Sequence, residues 1–270
     1  MNDVKMVIQS NSQKPPQELS IEEVLTTTFE LYSRNFIQFF IPLLVATLIS
    51  GSLGTLITSY IEIMPFPEYG TPPEIWDWIW SYVGTLLAIT FIVGIISWIV
   101  STIANGICVK FASDLMEKGN ASLGDALNFT VFKLFSLLVV AIITGILIVL
   151  GLIALIVPGI ILAIMFSLVV QVIIIEDVGA LDSLSRSRRL VSNRWLKTFV
   201  LLLIVYIIIL FVGFIGNLIG TPFGGAGSIV SGVIAAFVAP IIPISMTVYY
   251  YSMLAKEEQL RVPPPPPPPF

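Results

Sequence analysis

The sequence predicts an all-α integral membrane protein with six transmembrane helices. Of its 270 residues, 56% are hydrophobic and only 11% are charged, whereas soluble globular domains carry about 25% charged residues. Six apolar stretches each reach the minimum of about 17 residues that a helix needs to cross the hydrocarbon layer. All 13 Lys and Arg residues lie in or beside segments that would then share one side of the membrane.

The composition excludes most catalytic chemistry. The chain has no histidine, which is the commonest general base and the commonest metal ligand. Its single cysteine, Cys108, excludes internal disulfides and zinc sites built on thiolates. A net charge of −4 disfavours nucleic acid as a partner. We therefore expect no catalytic residue, no metal and no cofactor, and the protein is not expected to be an enzyme.

The N-terminal region combines a polar segment with a surface helix. Residues 1–19 are polar and are expected to form a flexible tail. Ser20 and Glu23 have the spacing of a capping box, which starts a helix. Apolar residues then recur at helical spacing, which predicts an amphipathic helix on the membrane surface that ends near Arg34. The apolar positions of this helix are Ile21, Val24, Leu25, Thr28, Leu31 and Tyr32.

The membrane domain is expected to cover residues 20–256, followed by a C-terminal tail at 257–270. A Pro158–Gly159 pair predicts a tight outer turn between the third and fourth spans. Pro240 and Pro243 should kink the sixth span, because proline removes a helical hydrogen bond. The six predicted spans are 36–61, 82–109, 134–157, 159–175, 198–219 and 229–254.

The basic residues predict the orientation. The inner segments would be the N-terminus, 110–133, 176–197 and the C-terminus. The outer connections, 62–81, the turn near 157–158 and 220–228, contain neither Lys nor Arg. The positive-inside rule then predicts a multi-pass protein of the cell membrane with both termini in the cytoplasm. Tryptophans in 62–81 are expected to form an aromatic belt at the outer interface.

The surface helices suggest an internal repeat. Ser122 and Asp125 open a second amphipathic stretch much as Ser20 opens the first, and Ala180, Leu181 and Leu184 take comparable places in a third. One interpretation is a triplicated unit of surface helix plus membrane hairpin. The other is that shared constraints at the membrane surface produce the same pattern.

Polar groups within the spans are few, and none in mid-span is charged. An ion-coupled transporter normally places ionisable groups at membrane depth, so their absence disfavours that class. We expect the polar side chains to form hydrogen bonds between helices. They are Asn105, Thr144, Gln171 and Asn217.

The segment 176–197 carries five basic residues that are candidates for contact with anionic lipid headgroups. Positive-inside topology explains the same residues without any specific contact. Arg188 shares a helical face with Leu181 and Leu184, which a purely solvated charge would not need. The five candidates are Arg186, Arg188, Arg189, Arg194 and Lys197.

The C-terminal tail is a candidate for docking a partner protein. A run of prolines adopts the polyproline II conformation, which aromatic grooves recognise without an ordering cost. A low-complexity spacer would have the same composition. The candidate docking residues are Pro263, Pro264, Pro265, Pro266, Pro267, Pro268, Pro269 and Phe270.

The central stretch of the chain also carries a family resemblance. It includes Pro158-Gly159-Ile160, Glu176, Ala180-Leu181, Arg186-Ser187 and Leu190. With these features the region from Ser20 to about Lys256 resembles prokaryotic six-span membrane proteins related to the glycerophosphoryl diester phosphodiesterase membrane domain. The resemblance implies a six-helix architecture and a supporting role beside lipid-linked machinery. The catalytic barrel of that family relies on histidines that this chain lacks, so no functional residue is carried over.

Two hypotheses of function follow. The first is a non-catalytic membrane scaffold or accessory subunit that recruits partners at the cytoplasmic face. Membrane lipids are expected to be partners of the protein as well. The alternative is a channel or carrier for a lipid or a small neutral solute, suggested by the small and hydroxylated residues of the first span and by the kinked sixth. Nothing in the sequence indicates an oligomeric state.

Overall fold

A computed structural model describes residues 14–63 and 71–261. The described residues contain no β-strand, and six helical stretches are long and apolar enough to cross a membrane. The chain is thus an all-α, multi-pass membrane protein. The helices are α1 (Ile21–Arg34), α2 (Phe36–Ile63), α3 (Pro72–Lys118), α4 (Leu123–Ala154), α5 (Ile156–Met165), α6 (Val169–Ile175), α7 (Ala180–Ser192), α8 (Trp195–Gly220), α9 (Gly227–Ala236) and α10 (Ile241–Arg261), with a 3₁₀ turn at Thr221–Ala226.

The first surface helix begins as predicted. The Ser20 amide donates a hydrogen bond to the Glu23 carboxylate at 2.6 Å, and the Glu23 amide donates to Ser20 Oγ at 3.2 Å. These two bonds form the capping box and satisfy amides that the helix itself leaves free. The apolar face of α1 packs against α10. Its buried residues are Val24, Thr28, Leu31 and Tyr32.

The second surface helix does not exist as a separate element. The structure has one continuous helix, α4, where a surface helix and a span were expected. The first and third surface helices end at Asn35 and Asn193, which lie just before the spans that follow. The corresponding stretch of α4, residues 130–136, contains no Gly, Pro or Asn. Nothing there ends the helix, so it continues into the membrane.

The outer turn between the third and fourth spans lies at Leu155, not at Pro158–Gly159. Leu155 has extended backbone angles, φ −166° and ψ 147°, and Pro158 falls in the first turn of α5, where its missing N–H is not needed. Gly159 serves close packing instead. A Cβ atom there would lie 2.5 Å from Leu152 Cγ on α4.

The expected outer loop 62–81 is shorter than predicted. Helix α3 begins at Pro72, and the Thr71 amide donates to the Glu74 carboxylate at 2.8 Å. Prolines fit the first turn of a helix, and they start α3 here. Trp76 and Trp80 are exposed on this helix and not in a loop.

The fourth and sixth spans are both interrupted. In the fourth span the helix breaks at residues 166–168, between α5 and α6. The sixth breaks at 237–240, between α9 and α10, at the predicted Pro240 kink. The second piece is the shorter one in the fourth span, with α6 following α5, and the longer one in the sixth, with α10 following α9.

The buried centre of the protein consists of three helical segments. Residues 104–116 of α3, together with α6 and α10, pack against one another. Each of these segments also packs against one further helix: α3 against α4, α6 against α7, and α10 against α1. The three helix pairs thus contact one another in a closed cycle. We call the end of the bundle that carries α1, α7 and the last turns of α3 and α10 the basic end.

Candidate functional site

A cleft of about 660 Å³ lies between α3, α4, α5, α6, α8 and α10. Its volume falls within the range of small-molecule binding sites, about 300–1,000 Å³. Most lining side chains are apolar, and both interrupted spans contribute to its wall through Ser167 and Pro243. No residue of α2 lines it, so the small residues of the first span have no part in this cleft.

The cleft is closed towards the basic end. Of the lining residues nearest that end, Val109, Leu137 and Gln171 are each no more than 4% exposed, and Phe199 is partly buried. Along α4 the lining extends from Leu137 to Ile148, which is about 16 Å at 1.5 Å per residue. This length is roughly half the thickness of a hydrocarbon layer of about 30 Å. The lining residues further from the basic end, including Trp98, are more exposed.

Two polar atoms in the cleft wall are buried without a hydrogen-bond partner. They are Ser167 Oγ in the break of the fourth span and Gln171 Oε1 on α6. Their positions, four residues apart, place both side chains near the interruption. An unpaired buried polar atom costs free energy, because it loses its hydrogen bonds to water without replacement. The sequence indicated Gln171, the one amide in an apolar run, but gave no signal for Ser167.

The polar residues of the spans do not join helices as expected. Asn105 Nδ2 donates to the Ser101 carbonyl at 2.8 Å, and Thr144 Oγ1 donates to the Val140 carbonyl at 2.7 Å. Asn217 likewise bonds within α8. A side chain can reach the carbonyl four residues earlier in its own helix without any neighbour. Gln171 differs from these three residues, because no residue of the described chain supplies a hydrogen-bond partner for its side-chain oxygen.

The cleft contains no charged side chain among its lining residues. Across residues 14–63 and 71–261, no three His, Cys, Asp or Glu side chains are grouped so that they could hold a metal ion. A ligand of the cleft would therefore have to be uncharged, since a buried charge without a counter-charge is strongly disfavoured.

Arg186, the first of the five basic candidates, is held in a network at the basic end. Its Nε lies 2.7 Å from Glu176 Oε1, and its terminal nitrogen lies 2.8 Å from Glu257 Oε2. Tyr250 also donates to Glu176 at 2.6 Å. The hydrogen bonds from Arg186 to Glu257 and Glu176 raise the pKa of Arg186 above its usual range, although burial opposes them. This arginine therefore joins the end of α6 to α10.

Arg194 and Lys197 both contact Glu18. The Glu18 carboxylate lies 3.1 Å from Arg194 Nε, 2.8 Å from Lys197 Nζ and 2.5 Å from Lys256 Nζ. Burial would raise the pKa of Glu18, but hydrogen bonds from the two lysines and the charge of Arg194 lower it to about 2. We call this cluster the Glu18 clamp.

Residues 14–19, expected to belong to a flexible tail, are instead held against the bundle. The Leu19 amide donates to Ser252 Oγ at 2.8 Å, and Lys197 donates to the Leu19 carbonyl at 2.6 Å. The partners of this segment lie on α3, α8 and α10, far along the chain, so local composition gives no sign of them.

Arg188 and Arg189 are exposed on α7. No residue of the described chain pairs with either of them, whereas the other three basic candidates contact carboxylates. The face that Arg188 shares with Leu181 points outwards, since Leu181 is 71% exposed. The other predicted docking residues, Pro263–Phe270, lie outside the described residues.

No curated protein and no solved structure matches the chain. One family model, described as a domain of unknown function (DUF7847), matches residues 78–254. The match covers more than half of the chain and includes every residue that lines the cleft. The resemblance to the glycerophosphoryl diester phosphodiesterase membrane domain stays a prediction. The chain belongs to the DUF7847 family.

Proposed function

We propose that the protein is a non-catalytic membrane protein that binds an uncharged, lipid-like molecule in the cleft between its two interrupted spans. The observation that carries this proposal is the character of the cleft wall. It is largely apolar and free of charge, and its two unpartnered polar atoms, on Ser167 and Gln171, lie in and beside the break of the fourth span. Such a wall fits a molecule with one polar end and a long apolar body.

The cleft favours a binding protein or carrier over a channel. A channel needs a continuous path, whereas buried side chains of Val109 and Leu137 close this cleft at the basic end. If the basic end faces the cytoplasm, as the positive-inside rule predicts, the closed polar end lies towards the inner headgroups. Gln171 precedes Glu176 by about 7 Å of helix. A lipid of the inner leaflet has this same orientation.

The experiment that tests the proposal measures lipids that co-purify with the protein. Ala141 lines the cleft, so Ala141→Phe should fill it. Ala154 lies at the other end of the same helix and is exposed, which makes Ala154→Phe the matched control. We expect mass spectrometry to find one class of neutral lipid enriched with the wild type and with Ala154→Phe, and depleted with Ala141→Phe. Equal lipid content in all three proteins would refute the proposal.

A second candidate function is a scaffold or accessory subunit that recruits partners at the basic end. Arg188 and Arg189, which are exposed and have no partner within residues 14–63 and 71–261, favour it, because together with exposed Leu181 they form a basic and apolar surface on α7. Affinity capture would compare the full chain with a deletion of residues 263–270 and with Arg188→Gln/Arg189→Gln. A specific partner lost from either variant supports recruitment. Recovery of the protein alone in every case would exclude it.

A further inference from the structure

The break in the fourth span is held rigidly by a residue of α7. Ser187, which is fully buried, accepts a hydrogen bond from the Leu168 amide at 3.3 Å and donates one to the Met165 carbonyl at 2.7 Å. Ser187 thus occupies backbone groups that the interruption would otherwise leave free. Ser167 lies within this anchored stretch, Gln171 lies three residues beyond Leu168, and both line the cleft.

Only these two polar groups in the cleft wall are both buried and unpaired among the described residues. Two other polar residues of the wall each use a donor group within their own helix. Thr102 Oγ1 donates to the Trp98 carbonyl at 2.8 Å, and Asn105 Nδ2 donates to the Ser101 carbonyl at 2.8 Å. Burial deprives Ser167 Oγ and Gln171 Oε1 of water as a partner, so a hydrogen bond from a ligand would replace one that is missing.

The chemistry of the two groups restricts what can pair with them. The amide oxygen of Gln171 only accepts hydrogen bonds, so its partner must donate. The hydroxyl of Ser167 donates or accepts. An ester or an ether can only accept and leaves Gln171 Oε1 unpaired. Ammonium and carboxylate groups would bring a charge into a wall that holds no counter-charge.

We infer that the ligand's polar end is a free hydroxyl group, which donates to Gln171 Oε1 and accepts from Ser167 Oγ, while its hydrocarbon chain extends towards Trp98. This inference rests on the proposed function and narrows it to lipid alcohols. Single-chain alcohols and diacylglycerols share this chemistry. The cleft excludes phospholipids and fatty acids because their charged ends have no partner in it.

Trp98 supplies a direct readout, because it lines the cleft and bromine atoms quench tryptophan fluorescence on contact. The probes are a long-chain alcohol, its methyl ether and a diacylglycerol, each brominated in the chain. Each is titrated into the purified full-length protein in detergent. The signal lost in Trp98→Phe isolates the contribution of Trp98 from those of the other tryptophans.

We expect the alcohol to quench Trp98 at a concentration at least about tenfold lower than its methyl ether, since two hydrogen bonds depend on the hydroxyl. Gln171→Met and Ser167→Ala should each reduce this preference to about threefold or less while ether binding is unchanged. Asn217→Leu, which removes an amide that bonds the Gly213 carbonyl within α8 and lies outside the cleft wall, should retain the preference. Quenching by the diacylglycerol at the same low concentration would identify it as a ligand; quenching by the alcohol alone would restrict the cleft to one chain.

The outcomes separate the two claims. If no probe quenches Trp98, the proposed function itself is wrong. If alcohol and ether quench equally in the wild type, the cleft binds apolar chains but does not recognise a hydroxyl group, and the inference is overturned. Ser167→Ala removes only the hydroxyl group, so this variant tests the inference even if Gln171→Met does not fold.

Discussion

Glu18 Oε2 lies 2.5 Å from Lys256 Nζ, although the two residues are 238 positions apart in the chain. This contact joins the segment ahead of α1 to the last helix, α10. The other two junctions of the cycle, α3 with α4 and α6 with α7, are also linked directly by the backbone. The junction between α1 and α10 has no such link and depends on packing and on the Glu18 clamp.

We therefore expect Glu18→Gln to destabilise the protein by roughly 1.5–3 kcal/mol, the range for a lost hydrogen bond to a charged group. The substitution keeps the side-chain shape but removes the charge that three cations share. Thermal unfolding in detergent measures the effect. Glu22→Gln is the control, because Glu22 is an exposed carboxylate that pairs with none of these three cations. It should change stability by less than about 0.5 kcal/mol.

The pKa of Glu18 predicts an acid limit to this stabilisation. Because the pKa of Glu18 is lowered from 4.5 to about 2, the folded state retains the carboxylate where the unfolded state is already protonated. The contribution of Glu18 should be complete above about pH 4.5 and should disappear as the pH falls to 2. Unfolding measured across this range should show the wild type approaching Glu18→Gln in stability. A constant difference between them down to pH 2 would contradict the clamp.

Arg186 and Arg189 should differ sharply although both are arginines of α7. Arg186→Gln leaves Glu176 and Glu257 without their shared cation, and we expect a loss of about 3 kcal/mol or more. Arg189→Gln removes an exposed charge without a partner in the described chain and should change stability by less than about 0.5 kcal/mol. Paired unfolding measurements test this difference. Similar effects of the two substitutions would be inconsistent with the network.

Any residue larger than glycine at position 159 should lower the stability of the protein. A Cβ atom at Gly159 would lie 2.5 Å from Leu152 Cγ and 2.7 Å from the Leu152 amide nitrogen, so the α4–α5 hairpin must open. We expect Gly159→Ala to destabilise the protein by about 1–3 kcal/mol. Gly145→Ala in α4, where a Cβ meets nothing within 4 Å, should be neutral or slightly stabilising. Thermal unfolding of the two variants provides the comparison.

Arg188 and Arg189 are the two basic candidates that remain free to contact anionic lipids. Each is expected to add about 1 kcal/mol of attraction near an anionic surface, roughly fivefold in lipid preference. Replacing both with Gln should lower the preference for anionic over zwitterionic lipid in nanodiscs, and high salt should abolish the difference. Arg34→Gln, where the arginine already bonds Glu30 at 2.6 Å, is the control. No change in the double variant would leave positive-inside topology as their sole explanation.

The features that the sequence predicts well are local ones. The spans and the Ser20 capping box depend on residues close together in the chain, and both occur in the structure. The Glu18 clamp depends on partners far along the chain, and the break at residues 166–168 depends on Ser187 of another helix. The local sequence around each feature does not indicate these partners. Gln171 was visible as a polar residue, but only packing decides whether such a side chain finds a partner.

The closed cycle of three helix pairs has a consequence for the order of the helices along the chain. Gln259 Nε2 donates to the Pro16 carbonyl at 3.1 Å, so the described ends of the chain meet, while the link between α3 and α4 is a short turn at residues 119–122. A circularly permuted protein that starts at Ser122 and joins α10 to the Glu18 segment would preserve every helix contact. The fold then depends on which helices contact one another and not on which helix begins the chain.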